Sequence, residues 1–288
     1  MSSILTNNGA MVALQTLKGI NSSLAKTQDQ ISTGKDINNA KDDAAIWAIS
    51  KVMESDVNSF KAVSKSLSLA TGAITTANAA AESVQKLLGE IKAKVASAKD
   101  GNLKRETLQT DFEDLKAQIE TTVKGSQFNG INLVNGDQFD GASTFKALSA
   151  LNRAQDGTVT ADTIDIDLAN TDLRITGGTV TAMTDLAALD LTTVTDWDAA
   201  LATIEAAIGA SVDAASAFGS ANKRIEIQSS FISKLGDSMT AAIGSLVDAD
   251  MEEASARLQA LQTQQQLGIQ SLSIANQAPK SLLSLFRG

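Results

Sequence analysis

Apolar residues recur at alternating steps of four and three at both ends of this chain. Near the N-terminus the run is Ala10, Leu14, Leu17, Asn21, Leu24, Gln28 and Ile31. Near the C-terminus it is Val247, Met251, Ala254, Leu258, Leu261, Gln265, Gly268, Leu272 and Ala275. Such spacing keeps one seam of a helix against a partner helix, which is the requirement of a coiled coil. Chain ends ordinarily fray, so two patterned ends predict helices that pair with each other or with other subunits. The seam positions expected to carry assembly are Leu14, Leu17, Leu24, Ile31, Leu258, Leu261 and Leu272.

Between the ends, the polar stretch 32–43, with Gly34, Asn38 and Asn39, breaks the first helix. Asp42 and Asp43 stand where acids stabilise the positive end of a following helix. Read instead as a divalent-metal pair, they lack further ligands at loop spacing. A seam running from Ile46 through Val63, Ile74, Val84 and Ile91 to Ala98 predicts one helix over 44–99. Such a helix is roughly 80 Å long at about 1.5 Å per residue, and its narrow stripe suits side-by-side packing. Gly101 and Asn102 close it, and a shorter helix follows with Leu108, Phe112, Leu115, Ile119 and Val123 on one face.

From Gly125 the texture changes. Asn129-Gly130 and Asn135-Gly136 are tight-turn pairs that bracket a strand candidate over 131–134. Ile164, Ile166 and Leu168 alternate with Asp165 and Asp167, as in a half-buried strand. Leu173 and Ile175 continue the alternation, and Gly177-Gly178 turns the chain into 179–183. Helical rhythm returns from Trp197 through Ile204, Phe218, Ile225 and Ile232 to Leu246, then slips one position to Val247 beside Asp248 and Asp250. A slip of that kind marks a stutter or a domain boundary. The order is a palindrome of short helix, long helix, β insert, long helix and short helix, which brings the two ends together. The expected fold is mainly α: long antiparallel helices forming coiled-coil-like bundles, with a small β-containing central insert.

Composition narrows the chemistry. The 288 residues include no His, no Cys, no Tyr and one Pro. The commonest general base, the thiol nucleophile and most transition-metal ligands are therefore missing. An enzyme is disfavoured, and no cofactor or metal is expected. A formal charge of −9, with no Lys/Arg cluster, argues against nucleic acid as a partner. The expectation is also of no membrane-spanning segment and no secretory signal peptide, so departure from the cytoplasm calls for another export route. The central threonines (Thr158, Thr160, Thr163, Thr171, Thr176, Thr179 and Thr181) are either β-favouring residues on a solvated face or sites of O-glycosylation.

Two separated stretches resemble the terminal signatures of bacterial flagellin. The first runs from Gln30-Ile31-Ser32-Thr33-Gly34 through Ile37-Asn38-Asn39-Ala40-Lys41-Asp42-Asp43-Ala44-Ala45 to Ala48-Ile49-Ser50. The second runs from Ala260-Leu261-Gln262 through Leu267-Gly268 to Ser271-Leu272-Ser273-Ile274-Ala275-Asn276-Gln277-Ala278-Pro279. Ser126-Gln127-Phe128-Asn129-Gly130 is similar to the turn after that family's second helix. The form resembled is short and alphaproteobacterial-like, with a reduced central region.

The resemblance implies a structural subunit that polymerises into the flagellar filament, with terminal helices that fold on assembly. It assigns Gly34, Asn38, Lys41, Asp42 and Asp43 to a motif at the domain junction, and Asn276, Gln277 and Pro279 to the C-terminal motif. The implied partition is an inner-core helix and junction over 1–43, outer-core helices over 44–125 and a variable β-rich region over 126–195. The outer-core helix over 196–246 and the inner-core helix over 247–288 complete it. Implied partners are other copies of the chain, junction and cap proteins, the type III export apparatus and a flagellin chaperone. The implied location is extracellular, in the filament.

Some positions depart from the family pattern. Gln30 and Asp36 stand where many flagellins carry Arg, and Trp47 stands where small residues are common. Gly89, Lys92 and Ala93 replace the Arg-Glu-Leu patch that many flagellins present to a Toll-like receptor, so weak or no receptor activation is expected. Hook–filament junction proteins share the palindromic plan and are the alternative structural role. A central hydrolase is the alternative from another class, and 126–194 is short for a typical domain of about 100–150 residues.

Overall fold

The computed structural model describes residues 7–99, 104–136, 143–154 and 156–285, with the side chains of the last helix described through Gln277. Among these stand six α-helices and one two-stranded sheet. In chain order they are α1 (Asn8–Thr33), α2 (Ala44–Lys99), α3 (Arg105–Gly125), β1 (Thr144–Arg153), β2 (Val159–Asp167), α4 (Thr181–Thr184), α5 (Trp197–Val247) and α6 (Met251–Leu285). The mainly α class with a small β insert is what the patterning predicts. The α2 helix spans the predicted range, while Gly101 and Asn102, expected to close it, lie outside the described residues.

Helix starts are written by acidic and amide side chains. Asp43 Oδ1 accepts from the Ala45 and Ile46 amides at 2.9 and 3.0 Å ahead of α2. Asp196 Oδ1 does the same for α5, and Asp250 Oδ1 for α6. Each carboxylate satisfies amides that the first turn leaves without an intrahelical partner. At the other end of α1, Gly34 adopts φ +70° and closes the helix with a bond from its amide to Gln30 O.

The chain forms two compact units, one of residues 1–57 with 237–288 and the other of residues 58–236. In the 58–236 unit, α2 and α5 run antiparallel, with Lys92 paired to Glu205 and Lys99 to Asp198 at 2.5 and 2.8 Å. Their facing stripes, among them Leu67, Ile74, Leu88 and Ile91 against Ile204, Phe218 and Ile225, are fully buried. The α3 helix adds Phe112, Ile119 and Val123 to this core.

The α3 helix also carries the central segment. Glu120 Oε1 accepts from the Ile175 and Thr176 amides at 2.8 Å, and Gln109 Oε1 accepts from the Leu191 amide at 2.8 Å. At the centre of the 172–179 turn, Asp172 is fully buried. Its carboxylate accepts from the Arg174 amide, Nε and Nη2 and from the Thr179 amide, at 2.7–3.1 Å. Burial, the largest influence, pushes this carboxyl up. The Arg174 side chain, the Thr179 and Arg174 amides and the guanidinium charge together outweigh it and hold the group below the ordinary aspartate value.

Several local expectations are corrected here. Residues 131–134 form no strand, because the buried Asn132 folds the chain back: its Nδ2 donates to Val123 O and its Oδ1 accepts from the Val134 amide. Leu173 and Ile175 are buried in an irregular turn, not a strand, and the segment after Gly177-Gly178 becomes the short α4. The strand around Ile164 and Ile166 is present as β2, paired antiparallel with β1, which the patterning did not predict. The central threonines divide: Thr160 and Thr163 are exposed on β2, whereas Thr171 is buried and donates to Leu133 O. Finally, α5 holds an 18-residue window of mean hydropathy 1.3, long and apolar enough to cross a membrane, where none was expected. Ile204, Ala207, Ala214 and Phe218 of this helix are buried in the 58–236 unit.

Candidate assembly site

The unit made of 1–57 and 237–288 is built on the pairing of α1 with α6. Partners run in opposite order along the two helices. Asn7, whose Oδ1 caps α1 by accepting from the Ala10 amide, donates from Nδ2 to Ala275 O at 2.8 Å. Further along α1, Gln265 Nε2 donates to Asn21 Oδ1 at 2.7 Å. The pairing ends at a clip between the two helix breaks. There Ala249 N donates to Gly34 O at 3.0 Å, and the Asp36 and Ile37 amides donate to Val247 O at 2.8 and 3.3 Å.

The seven predicted seam residues fall on this pair unequally. Leu261 is buried, while Leu17, Leu24, Ile31, Leu258 and Leu272 are half-buried and Leu14 is 44% exposed. Thr27 is buried to 2% exposure and Gln28 is exposed, so the seam passes through Leu24, Thr27 and Ile31 at this turn. The spacing of Thr27, three beyond Leu24 and four before Ile31, was available in the sequence; its polarity hid it. On the outer faces of the two helices, Met11, Val12, Leu267, Ile269 and Ile274 are 55–64% exposed. This is an apolar load with no partner inside the described residues.

At the junction, Asp42 Oδ2 accepts from the Asn38 and Asn39 amides at 3.2 and 3.1 Å, and Asn39 Oδ1 accepts from the Lys41 amide at 2.9 Å. Together with the Asp43 cap, these bonds fold 38–43 into the turn that starts α2. Gln30 and Asp36, the two departures from Arg, meet each other: Gln30 Nε2 donates to Asp36 Oδ1 at 2.5 Å. They line a cleft of about 290 Å³ with Asp248, Asp250, Glu253 and Arg257. Nearby, a hydrogen bond from Lys51, opposed by burial and aided by the charges of Lys51 and Lys35, holds the Glu54 carboxyl below its ordinary range.

Of the C-terminal motif, Asn276 and Gln277 are exposed and Pro279 lies outside the described side chains. Gly89 and Ala93 are exposed on α2, and Lys92 beside them is engaged with Glu205. Among the described residues no group of three or more carboxylates could hold a metal ion.

Two long helix-rich ends that pair with each other and leave apolar faces bare define a self-associating structural subunit. The N-terminal helical region of bacterial flagellins matches residues 4–138, and the C-terminal helical region matches residues 201–286. The flagellin of Brucella melitensis is 38% identical over 295 residues, covering all of both chains. Flagellin FljK of Caulobacter vibrioides is 39% identical over 297 residues, covering 100% of this chain and 99% of that one. Flagellin C of Rhizobium meliloti is 34% identical over 320 residues, again covering both chains fully. A crystal structure of Bacillus cereus flagellin aligns with 62% of this chain and 94% of its own at a TM-score of 0.47 and 18% identity. This chain belongs to the bacterial flagellin family. It is a filament subunit, and the full-length alignment with flagellins supports that role over the junction protein.

Proposed function

We propose that the α1–α6 pair is the polymerising element, and that its two helices complete their folding when a subunit docks. The observation that carries this is the bare outer face of Met11, Val12, Leu267, Ile269 and Ile274. Each such side chain, 55–64% exposed, contributes about 1–2 kcal/mol when a neighbouring subunit covers it. Two helices that bury Thr27, Ala254 and Leu261 but leave most of the seam half-open have too little packing to hold their order alone. Docking therefore offsets the ordering cost that the free subunit has not yet met. The contact is heterologous and does not close, as an elongating filament requires.

The subunit leaves the cell through the type III export apparatus, attended by a flagellin chaperone, and meets junction and cap proteins at the filament ends. It performs no catalysis; the absence of His and Cys from the chain supports this. Toll-like receptor activation is weak or absent, because Gly89 has no side chain to offer and Lys92 is held by Glu205.

Seeded polymerisation tests the reading: purified subunits are mixed with short fragments of native filament and followed by negative-stain electron microscopy. Long, uniform tubes are expected. Stable subunits, or caps that never lengthen on active seeds, would move the chain to the junction role.

A further inference from the structure

The α1–α6 pair has two features that an apolar seam does not need. Leu17 occupies a notch left by Gly268: a Cβ on that glycine would stand 2.9 Å from Leu17 Cδ1 and 3.8 Å from Ile20 Cδ1. Gly268 is the single glycine of α6. About one turn away, Gln265 Nε2 donates to Asn21 Oδ1 at 2.7 Å. We propose that Leu17, Asn21, Gln265 and Gly268 are the register determinants of the terminal helix pair. They select the one alignment in which a subunit presents a uniform surface to its neighbours. The proposal rests on the reading of α1–α6 as the polymerising element.

Leucine seams alone discriminate poorly between registers, because heptads repeat. A slip of one heptad sets Asn21 against Leu258 or Leu272, and Leu17 against Leu261 or Ala275. In both slipped states Asn21 loses the partner opposite it, and Leu17 loses its notch. The two directions are not equivalent. The slip that brings Asn21 to Leu272 also brings Gln28 opposite Gln265, so one amide pair is rebuilt there. Where Gln265 is replaced as well, that pair is lost and neither direction is favoured by it.

Burial on assembly sharpens the selection. Asn21 is exposed and Gln265 half-buried in the single chain, where water competes for the same hydrogen bonds. Covering Ile269, one turn from Gln265, with a neighbouring subunit removes that water, and an amide left facing leucine then goes unsatisfied. A slip of one heptad also breaks the clip at Gly34 and Ala249, so the determinants reinforce the register that the clip sets at the junction end. The determinants act further out, where the helices run toward the chain termini.

The chain has no native cysteine, so a Ser22→Cys/Ser255→Cys pair on exposed positions accepts two spin labels uniquely. Labelled full-length subunits are copolymerised with an excess of the matching unlabelled protein, and the distance is read by pulsed electron paramagnetic resonance. With the native determinants one distance is expected. In Asn21→Leu/Gln265→Leu/Gly268→Leu a second population is expected, its axial offset changed by about 10 Å, the travel of seven helical residues. A single unchanged distance in that variant overturns the proposal while leaving the assembly reading intact. If that variant does not polymerise, the exchanged pair Asn21→Gln/Gln265→Asn decides. Growth with one distance supports register selection by the amide pair, and the same failure as the leucine variant refutes it. Leu261→Asp subunits growing at the native rate would instead sink the assembly reading.

Discussion

Gly72 in α2 has no side chain where the ring of Phe128 lies: a Cβ built on it would stand 2.5 Å from Phe128 Cζ and 2.8 Å from Cε2. The ring is delivered by a tight turn in which Phe128 and Ile131 exchange both backbone hydrogen bonds, with Asn129 at φ +51° and Gly130 at φ +80°. A glycine in the middle of a long helix is thus required by a residue fifty-six positions away.

Gly72→Ala is therefore expected to destabilise the 58–236 unit by about 1–3 kcal/mol, since an aromatic ring cannot move aside as a flexible chain end does. Gly89→Ala on the same helix meets nothing within 4 Å and is expected to stabilise by about 0.5–1 kcal/mol through helix propensity. Thermal unfolding of the two variants beside the parent checks the pair, and equal shifts of the same sign would contradict it.

Asp172 predicts an acid dependence. Its folded-state carboxyl lies below the ordinary aspartate value of 3.8, so its contribution is complete above that pH and is lost as pH falls through the folded value. Asp172→Asn is expected to cost about 2–4 kcal/mol near neutrality, toward the low end for breaking a buried pair because Arg174 remains partly hydrated. The deficit should shrink steadily below about pH 4. Denaturation curves at pH 7 and pH 3 test this, and a constant deficit would refute it.

The turn at Gly136 supplies a steric counterpart. With φ +64°, a Cβ there would lie 2.5 Å from Asp172 Oδ2 and 2.7 Å from Arg174 Nη2. Gly136→Ala combines that collision with left-handed strain of about 1–2 kcal/mol. It is expected to lose part of the same acid-dependent stability as Asp172→Asn, and an additive double variant would count against the shared mechanism.

These sites explain what was legible in the sequence. The long helices were visible because one apolar stripe repeats over many turns, and Asp43 could be read as a helix start from its position alone. The β1 strand was hidden because its buried residues are Phe145, Ala147 and Ser149, two of them weak strand formers. A register shift between Leu148 and Ala150 then breaks the period of two. Residues 131–134 misled for the opposite reason: four strand-like residues include one amide, Asn132, whose side chain bonds the backbone on both sides. The seam of the terminal pair was readable, but the meeting of Leu17 with Gly268 was not. A glycine among leucines looks like a weak seam position until its partner is known.

The two faces of the terminal pair make separable predictions for assembly. Leu261 is 9% exposed and faces α1, so Leu261→Asp places a charge inside the pair and is expected to block the ordering of the two helices on docking, and with it filament growth. Ile274 is 63% exposed and Met11 64%. A charge at either position leaves the pair's own packing untouched and meets a cost only when a neighbouring subunit covers it. Ile274→Asp and Met11→Asp are thus expected to keep the circular dichroism of the free subunit while growth on native seeds falls by about tenfold or more, the equivalent of about 1.4 kcal/mol per docking event. Growth is read by electron microscopy of seeded reactions. Normal filament lengths from both outer-face variants, alongside failure of Leu261→Asp, would mean that the exposed face is not covered in the filament and that the subunit contacts lie elsewhere on the chain.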